Sequence, residues 1–259
     1  MNSALKNFSI KWNEILLMLL PLVVFLVGWH FATFDDPGRK YIFSTPIEVG
    51  QALVRLTVSG ELERNVMVTV FEAMCGFLLG TTIGALIGLS LWYSRIVAKV
   101  AQPYITALAT VPIFALAPIV IVWFGIGLLS KIMLAFMSTV AVAIVQSYQG
   151  AMSVEERYMR LMKVLGADRA QTFRIVVVPS ALIWVINAMK LNIGLALLGA
   201  FIGEFISAEE GLGYMIVKAS GLYDMATVLA GVFVLVIVAL ASTALVGALE
   251  KRLLRWKVQ

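Results

Sequence analysis

Charge is scarce in this sequence, and so are the residues that bind metals or form disulfides. Only 14% of its 259 residues are Asp, Glu, Lys or Arg while 61% are hydrophobic, whereas a soluble domain carries about 25% charged residues. Cys75 is the single cysteine and His30 the single histidine. Counting therefore excludes an intrachain disulfide and a Cys/His metal cluster, and both read as packing residues. No Gly-Lys dipeptide occurs, so there is no P-loop and any ATP must be handled by another polypeptide. His-Glu-x-x-His and Gly-x-Ser-x-Gly are also absent, and few carboxylates lie within the apolar runs, which argues against a membrane-embedded enzyme.

What the chain does have is repeated apolar runs of about 20 residues, the length needed to cross a hydrocarbon layer. They run from Ile15 to Phe34, Val66 to Tyr93, Ala101 to Phe124, Lys131 to Tyr148, Pro179 to Ile206 and Met225 to Leu249. The first is too long for a signal-peptide core and no cleavage site followed by a polar domain is seen, so it is read as a span. The predicted fold class is all-α integral membrane with six transmembrane helices. A polar stretch from Asp35 to Glu63 predicts a surface helix over Pro46 to Val58, and Gly125 to Ser130 predicts a tight connection between spans three and four.

Six spans place both termini on one side. That side carries thirteen Lys and Arg residues, including Lys6, Lys11, Arg95, Lys99 and the tail residues Lys251, Arg252, Arg255 and Lys257; the other side carries six. Both termini are therefore expected in the cytoplasm of a multi-pass protein. The same rule accounts for the +5 net charge without nucleic acid, because the basic residues form no aromatic-interleaved face. Residues 1–64 form a first helix with its outer loop, and residues 65–259 a five-helix core with a cytoplasmic loop at 149–178.

Within the spans, Gly76, Gly80, Gly84 and Gly88 recur every four residues and form one helical stripe. Such a stripe admits a second helix backbone at close range, as a fixed crossing or as a sliding surface. Pro112 and Pro118, with Pro103 at the start of span three, interrupt the backbone ladder, which suits a kinked pathway-lining helix or a bent structural one. Glu72 and Lys190 are ionisable residues inside spans, where either alone costs at least about 2.5 kcal/mol. They are expected to face each other across spans two and five, to pair across a dimer interface, or each to snorkel to the nearer interface.

The longest charged interior segment, Gln149 to Val178, places Tyr158, Leu161, Met162 and Leu165 on one apolar stripe, with Arg157, Arg160 and Lys163 mostly elsewhere and Gly166 as the stop. An amphipathic helix of this kind lies on lipid headgroups or docks in a groove of a partner.

This loop resembles the signature of the permeases of binding-protein-dependent ABC importers: Glu-Ala-Ala, three residues, Gly, nine residues, then Ile-x-Leu-Pro. Gly166 and Pro179 keep the spacing, with Val176 and Val178 at the Ile and Leu positions. The Glu-Ala-Ala positions read Arg160, Leu161 and Met162, so a base replaces the leading acid. Pro112-Ile113-Phe114-Ala115-Leu116-Ala117-Pro118 followed by Trp123-Phe124-Gly125-Ile126-Gly127 and Lys131, Glu204 ahead of Gly211-Leu212-Gly213-Tyr214, and Trp256 in a basic tail are similar to the nitrate, sulfonate and taurine branch. Glu72 and Lys190 stand where that branch commonly carries arginine.

The resemblance covers roughly residues 44–257 and implies a type I ABC importer permease with a methionine-importer-like core in a bacterial inner membrane. It implies four kinds of partner: a second copy of the chain, two ATPase subunits that bind ATP and Mg in place of this chain, an extracytoplasmic solute-binding protein, and membrane lipid. The residues Arg157, Tyr158, Arg160, Leu161, Met162, Leu165, Gly166, Ala167 and Pro179 would couple to the ATPase. Glu72, Gly76, Gly80, Pro112, Pro118, Lys190 and Glu204 are candidates for the pathway or its packing. The implied solute is small and anionic, of nitrate, sulfonate or taurine type, with a vitamin precursor or an aromatic acid as alternatives. A self-sufficient secondary transporter using Glu72, Lys190 and Glu204 as an ion relay is disfavoured by the short chain, by the lack of an evident inverted repeat and by the exposed loop.

Overall fold

A computed structural model describes residue 17, residues 20–34 and residues 36–253. The basic residues Lys6 and Lys11, the start of the first apolar run, and Arg255, Trp256 and Lys257 lie outside that set.

Helix α1 comprises Leu20–Phe34. Two short helices follow where proline and a capping side chain coincide. Asp36 accepts from the amides of Gly38 and Arg39 to start α2 (Pro37–Phe43), and Thr45 accepts from the amide of Glu48 to start α3 (Pro46–Val58). Pro at N1 with an oxygen-bearing cap is a favourable helix start, and α3 has the predicted bounds. Gly60, at φ 74, turns the chain into α4 (Glu61–Ser90), which a 3-10 turn extends to Tyr93.

The expected third span is two helices. α5 (Arg95–Thr110) and α6 (Ile113–Phe124) meet at 94°. Val111 and Pro112 between them are both extended, with ψ 125 and 119, because a residue before proline is pushed out of the α region. Pro103 and Pro118 instead sit inside α5 and α6 without ending them. The break therefore falls at Pro112 alone.

α7 (Leu128–Met152), α8 (Glu156–Val164) and the four-residue α9 (Arg169–Thr172) follow. From α9 the chain passes through a π-helical turn, Phe173–Val177, straight into α10 (Val178–Ile206), so helix is continuous over Arg169–Ile206. The non-helical part of the 149–178 loop is correspondingly shorter than its charge pattern suggests. α11 (Leu212–Gly221) and α12 (Met225–Leu253) complete the chain. Helix α4 with its 3-10 turn, α7, α9–α10 and α12 are each long and apolar enough to cross a membrane; the α5–α6 pair and α1 supply the remaining apolar elements.

The centre of the bundle is α4, α7 and α10. Gly76, Gly80, Gly84 and Gly88 of α4 lie against Ala135, Thr139, Ala143 and Ser147 of α7 in one parallel register. A Cβ on Gly84 would stand 2.6 Å from the Val140 carbonyl oxygen, and one on Gly88 2.8 Å from Ser147 Cβ. The predicted stripe is thus a backbone-to-backbone seam, which gains dispersion contact where lipid offers no hydrophobic drive. The hydroxyls within it are satisfied internally, Thr139 donating to the carbonyls of Ala135 and Phe136, and Ser147 to that of Ala143.

Candidate functional site

Helix α8 stands at one end of the bundle, between the end of α7 and the start of α9. Its surface differs in two respects from the expected stripe. Tyr158, Leu161 and Leu165 are exposed, joined by Val164 at 84% exposure, but Met162 is buried at 8% and faces the protein. Met162 is thus the root of the helix, and Tyr158, Leu161, Val164 and Leu165 are its free face. Arg160 pairs with Glu156 one turn earlier at 2.9 Å, and Arg157 with Glu155 at 2.6 Å while also lying over the Tyr158 ring. The helix therefore retains an acid beside Arg160, displaced by one turn.

The end of α8 is fixed by backbone geometry. Gly166 has φ +68; its amide donates to the Lys163 carbonyl at 3.1 Å and the Ala167 amide to the Met162 carbonyl at 3.0 Å. This bond pair defines a Schellman stop, whose left-handed residue is normally glycine. Asp168 and Gln171 then form a reciprocal capping box on α9. Arg169 donates to the Tyr93 carbonyl at 2.9 Å and lies over Trp92, and Phe173 packs on both Trp92 and Tyr93. Sequence reasoning missed this anchor, although three aromatics and an arginine at the ends of two spans are a visible signal. Between α8 and the bundle lies a cavity of about 830 Å³ lined by Trp92, Arg95, Arg160, Lys163, Gly166 and Arg169, among others. Pro179 lies in the first turn of α10, just beyond the π turn.

At the opposite end, three consecutive backbone amides leading into α11 are each taken by a buried side chain. The Gly211 amide donates to Asn65 Oδ1 at 2.8 Å, the Leu212 amide to Thr69 Oγ1 at 2.9 Å and the Gly213 amide to Glu204 Oε2 at 2.7 Å. Thr69 in turn donates to Glu204 Oε1 at 2.6 Å. Gly211, at φ +108, and Gly213 sit so close to Glu204 that a Cβ on either would strike it, which gives the Gly-Leu-Gly sequence its physical reason. Glu72, one turn beyond Thr69, lies beside Glu204 with Lys131 nearby, and Lys131 donates to the Ile126 carbonyl at 2.9 Å. Glu72, Lys131 and Glu204 are at most 4% exposed, and Glu72 Oε2 finds no donor among the described residues. Asn65 and Thr69 were also missed from sequence, though Asn65, Thr69 and Glu72 form a polar stripe at i, i+4 and i+7.

Lys190 is not near this cluster. It pairs with Glu250 of α12, so the expected pairing of Glu72 with Lys190 across spans two and five is incorrect within the chain. Lys190 sits near the middle of α10 and its long stem reaches toward the α8 end, whereas Glu72 and Glu204 belong to the other end. Beside the Pro112 break, an apolar cavity of about 210 Å³ is lined by Leu108, Val111, Ile113, Met137, Ala141 and Leu195, among others. Among the described residues, no group of three His, Cys, Asp or Glu side chains is arranged to hold a metal.

Outside the spans, at the α11 end, Arg55 of α3 bonds Asp224 and Thr227 at the start of α12. Partial burial pushes the Asp224 carboxyl up, but the Thr227 hydroxyl and amide together with Arg55 outweigh it and hold the group below the usual carboxylate range. Glu48 is likewise held low, chiefly by its bond to Lys40.

Known proteins share both sequence and fold. Residues 80–255 match the family described as "Binding-protein-dependent transport system inner membrane component". The chain is 28% identical over 240 residues to the putative aliphatic sulfonates transport permease protein SsuC of Bacillus subtilis (strain 168), spanning 93% of this chain and 87% of that one. It is 28% identical over 268 residues to the taurine transport system permease protein TauC of Escherichia coli (strain K12), spanning 98% and 96% respectively. Its fold is similar to that of an inward-facing MetNI methionine ABC transporter, at a TM-score of 0.65 and 20% identity over 77% of this chain and 97% of that one. The architecture is the type I importer permease fold. The chain belongs to the binding-protein-dependent transport system inner membrane component family, as the non-catalytic, membrane-spanning subunit of an ABC importer whose ATP is hydrolysed by a separate ATPase subunit.

Proposed function

We propose that two copies of this chain pair to enclose the pathway, that both termini and α8 face the cytoplasm, and that each α8 seats in a groove of one ATPase subunit. The solute is a small anion of the sulfonate or taurine kind, brought by an extracytoplasmic binding protein. The observation that carries the coupling role is the free face of α8. Tyr158, Leu161, Val164 and Leu165 project from a helix whose root, Met162, is buried and whose end is fixed by the Gly166 stop. A rigid arm with an exposed apolar face fits a helix-in-groove contact, and an arm braced on Arg169, Trp92 and Phe173 can carry force into α10. The orientation follows from the excess of Lys and Arg on the α8 side. The solute class follows the named roles of the two permease relatives.

The test is co-purification of the ATPase in mild detergent with the unaltered chain and with Leu161→Glu and Leu165→Glu. Loss of the ATPase from both variants, with membrane insertion kept, is expected. An ATPase retained by both places α8 on lipid instead. In the reconstituted complex, ATP hydrolysis stimulated by the binding protein loaded with taurine or an alkanesulfonate tests the solute class, and stimulation by neither rejects it.

A further inference from the structure

The three-amide contact at α11 lies at the opposite end of the same helix that α8 feeds. Helix runs without interruption over Arg169–Ile206, and at about 1.5 Å per residue it is a rod of roughly 50 Å between Arg169 and Glu204. At its near end Arg169 and Phe173 fasten it to the α8 arm. At its far end Glu204 holds the Gly213 amide directly and the Leu212 amide through Thr69, while Asn65 holds that of Gly211. α11 also buries Leu212, Met215 and Ile216, but apolar contacts permit sliding. The polar contacts fix position, because a buried amide that loses its acceptor is left with its desolvation uncompensated.

We propose that Asn65, Thr69 and Glu204 are positioning residues forming a latch that makes α11 move with the α10 rod, so that displacement of α8 by the ATPase reaches the opposite face of the membrane. This rests on the reading of α8 as the ATPase handle. Glu204 is the jaw on the rod and Asn65 and Thr69 are the jaw on α4, joined to the rod by the Thr69–Glu204 bond, so that α4 and α10 carry α11 together. The Gly-Leu-Gly segment lies between them, with glycine at both points where a side chain would hold the jaws apart.

The experiment uses the whole chain assembled with its ATPase, with Cys75→Ser and a reporter thiol at Leu222→Cys, the exposed residue that caps α11. Labelling of the reporter by a membrane-impermeant maleimide is measured with and without MgATP plus orthovanadate. The latch predicts a several-fold nucleotide-dependent change in the otherwise unaltered chain. It predicts loss of that change in Glu204→Ala, Thr69→Ala and Gly213→Ala while the ATPase stays bound and hydrolyses ATP, and recovery in Glu204→Gln and Thr69→Ser, which keep the acceptor and the hydroxyl. Where Glu204→Ala fails to assemble, the contrast of Thr69→Ala with Thr69→Ser decides. A response persisting in the alanine variants, failing equally in the conservative ones, or missing from the unaltered latch overturns the proposal. An ATPase that never joins the unaltered chain brings down the reading of α8, and the latch's role with it.

Discussion

The amide of Ala167 donates to the carbonyl of Met162 across Gly166, whose φ is +68. This bond sets the direction in which the chain leaves α8. A Cβ at Gly166 would meet nothing within 4 Å, so the cost of replacing it is conformational, about 1–2 kcal/mol for a residue forced left-handed and more for a β-branched one. Gly166→Val should insert and fold but sever ATP hydrolysis from uptake, while Gly166→Asn, which tolerates this conformation, should retain much of the coupling. Parallel measurement of ATPase and transport rates in vesicles checks this, and normal coupling in Gly166→Val would contradict it.

The glycine seam makes a steeper prediction. A side chain at Gly80 would strike Thr139 Oγ1 and stand 2.9 Å from the Phe136 carbonyl oxygen, whereas one at Gly28 would meet nothing within 4 Å. Overpacking costs about 1–3 kcal/mol and sometimes more, and here the obstruction includes backbone on a neighbouring helix. Gly80→Val should lower the melting temperature in detergent sharply or prevent accumulation, and Gly28→Ala should change neither. Equal behaviour of the two would mean that α4 and α7 are not in close contact.

These two glycines show how much was legible in the sequence. A four-residue period gives the seam because period and helix pitch nearly coincide, and Gly166 is readable from its place at the end of an amphipathic stripe. Thr45 followed by Pro46 marks the start of α3 for the same local reason. The three prolines of span three look alike in sequence, yet only Pro112 separates two helices: Val111 ahead of it is extended at ψ 125, while Pro103 and Pro118 stay inside α5 and α6. Partners distant in sequence were the least legible. Pairing Lys190 with another charge inside a span is one of the options its sequence position leaves open, whereas its partner in the structure, Glu250, lies one residue past the last apolar run. Asn65 and Thr69 act on an amide ladder more than 140 residues away, which no local pattern announces.

The Lys190 and Glu250 pair can be separated from Glu72 by a double-mutant cycle. Contacting charges typically couple by about 0.5–3 kcal/mol, and distant ones add within a few tenths. Lys190→Met and Glu250→Gln should therefore be non-additive in thermal stability, with Glu250 the more sensitive site because its side chain is 16% exposed against 44% for Lys190. Lys190→Met combined with Glu72→Gln should be additive. Coupling in the second pair would restore the expectation that the structure displaced, through a contact between copies of the chain.

The last prediction concerns acid. Asp224 caps α12 by accepting from the Thr227 amide at 3.1 Å and hydroxyl at 2.7 Å, and it receives Arg55 from α3. Because the carboxyl is held below its ordinary value in the folded protein, folding favours the ionised form. Its contribution is complete above the ordinary aspartate value, about 3.9, and disappears as pH falls through the lower folded value. Unfolding temperature in detergent should therefore drop between pH 5 and pH 3 by more in the unaltered chain than in Asp224→Asn, which has no charge to lose. At pH 7 Asp224→Ala should cost about 1 kcal/mol, as removal of an N-cap does, and Asp224→Asn less, since asparagine still caps. Identical acid profiles for the unaltered chain and Asp224→Asn would mean that Asp224 does not fasten α12 to α3 in the membrane-embedded protein.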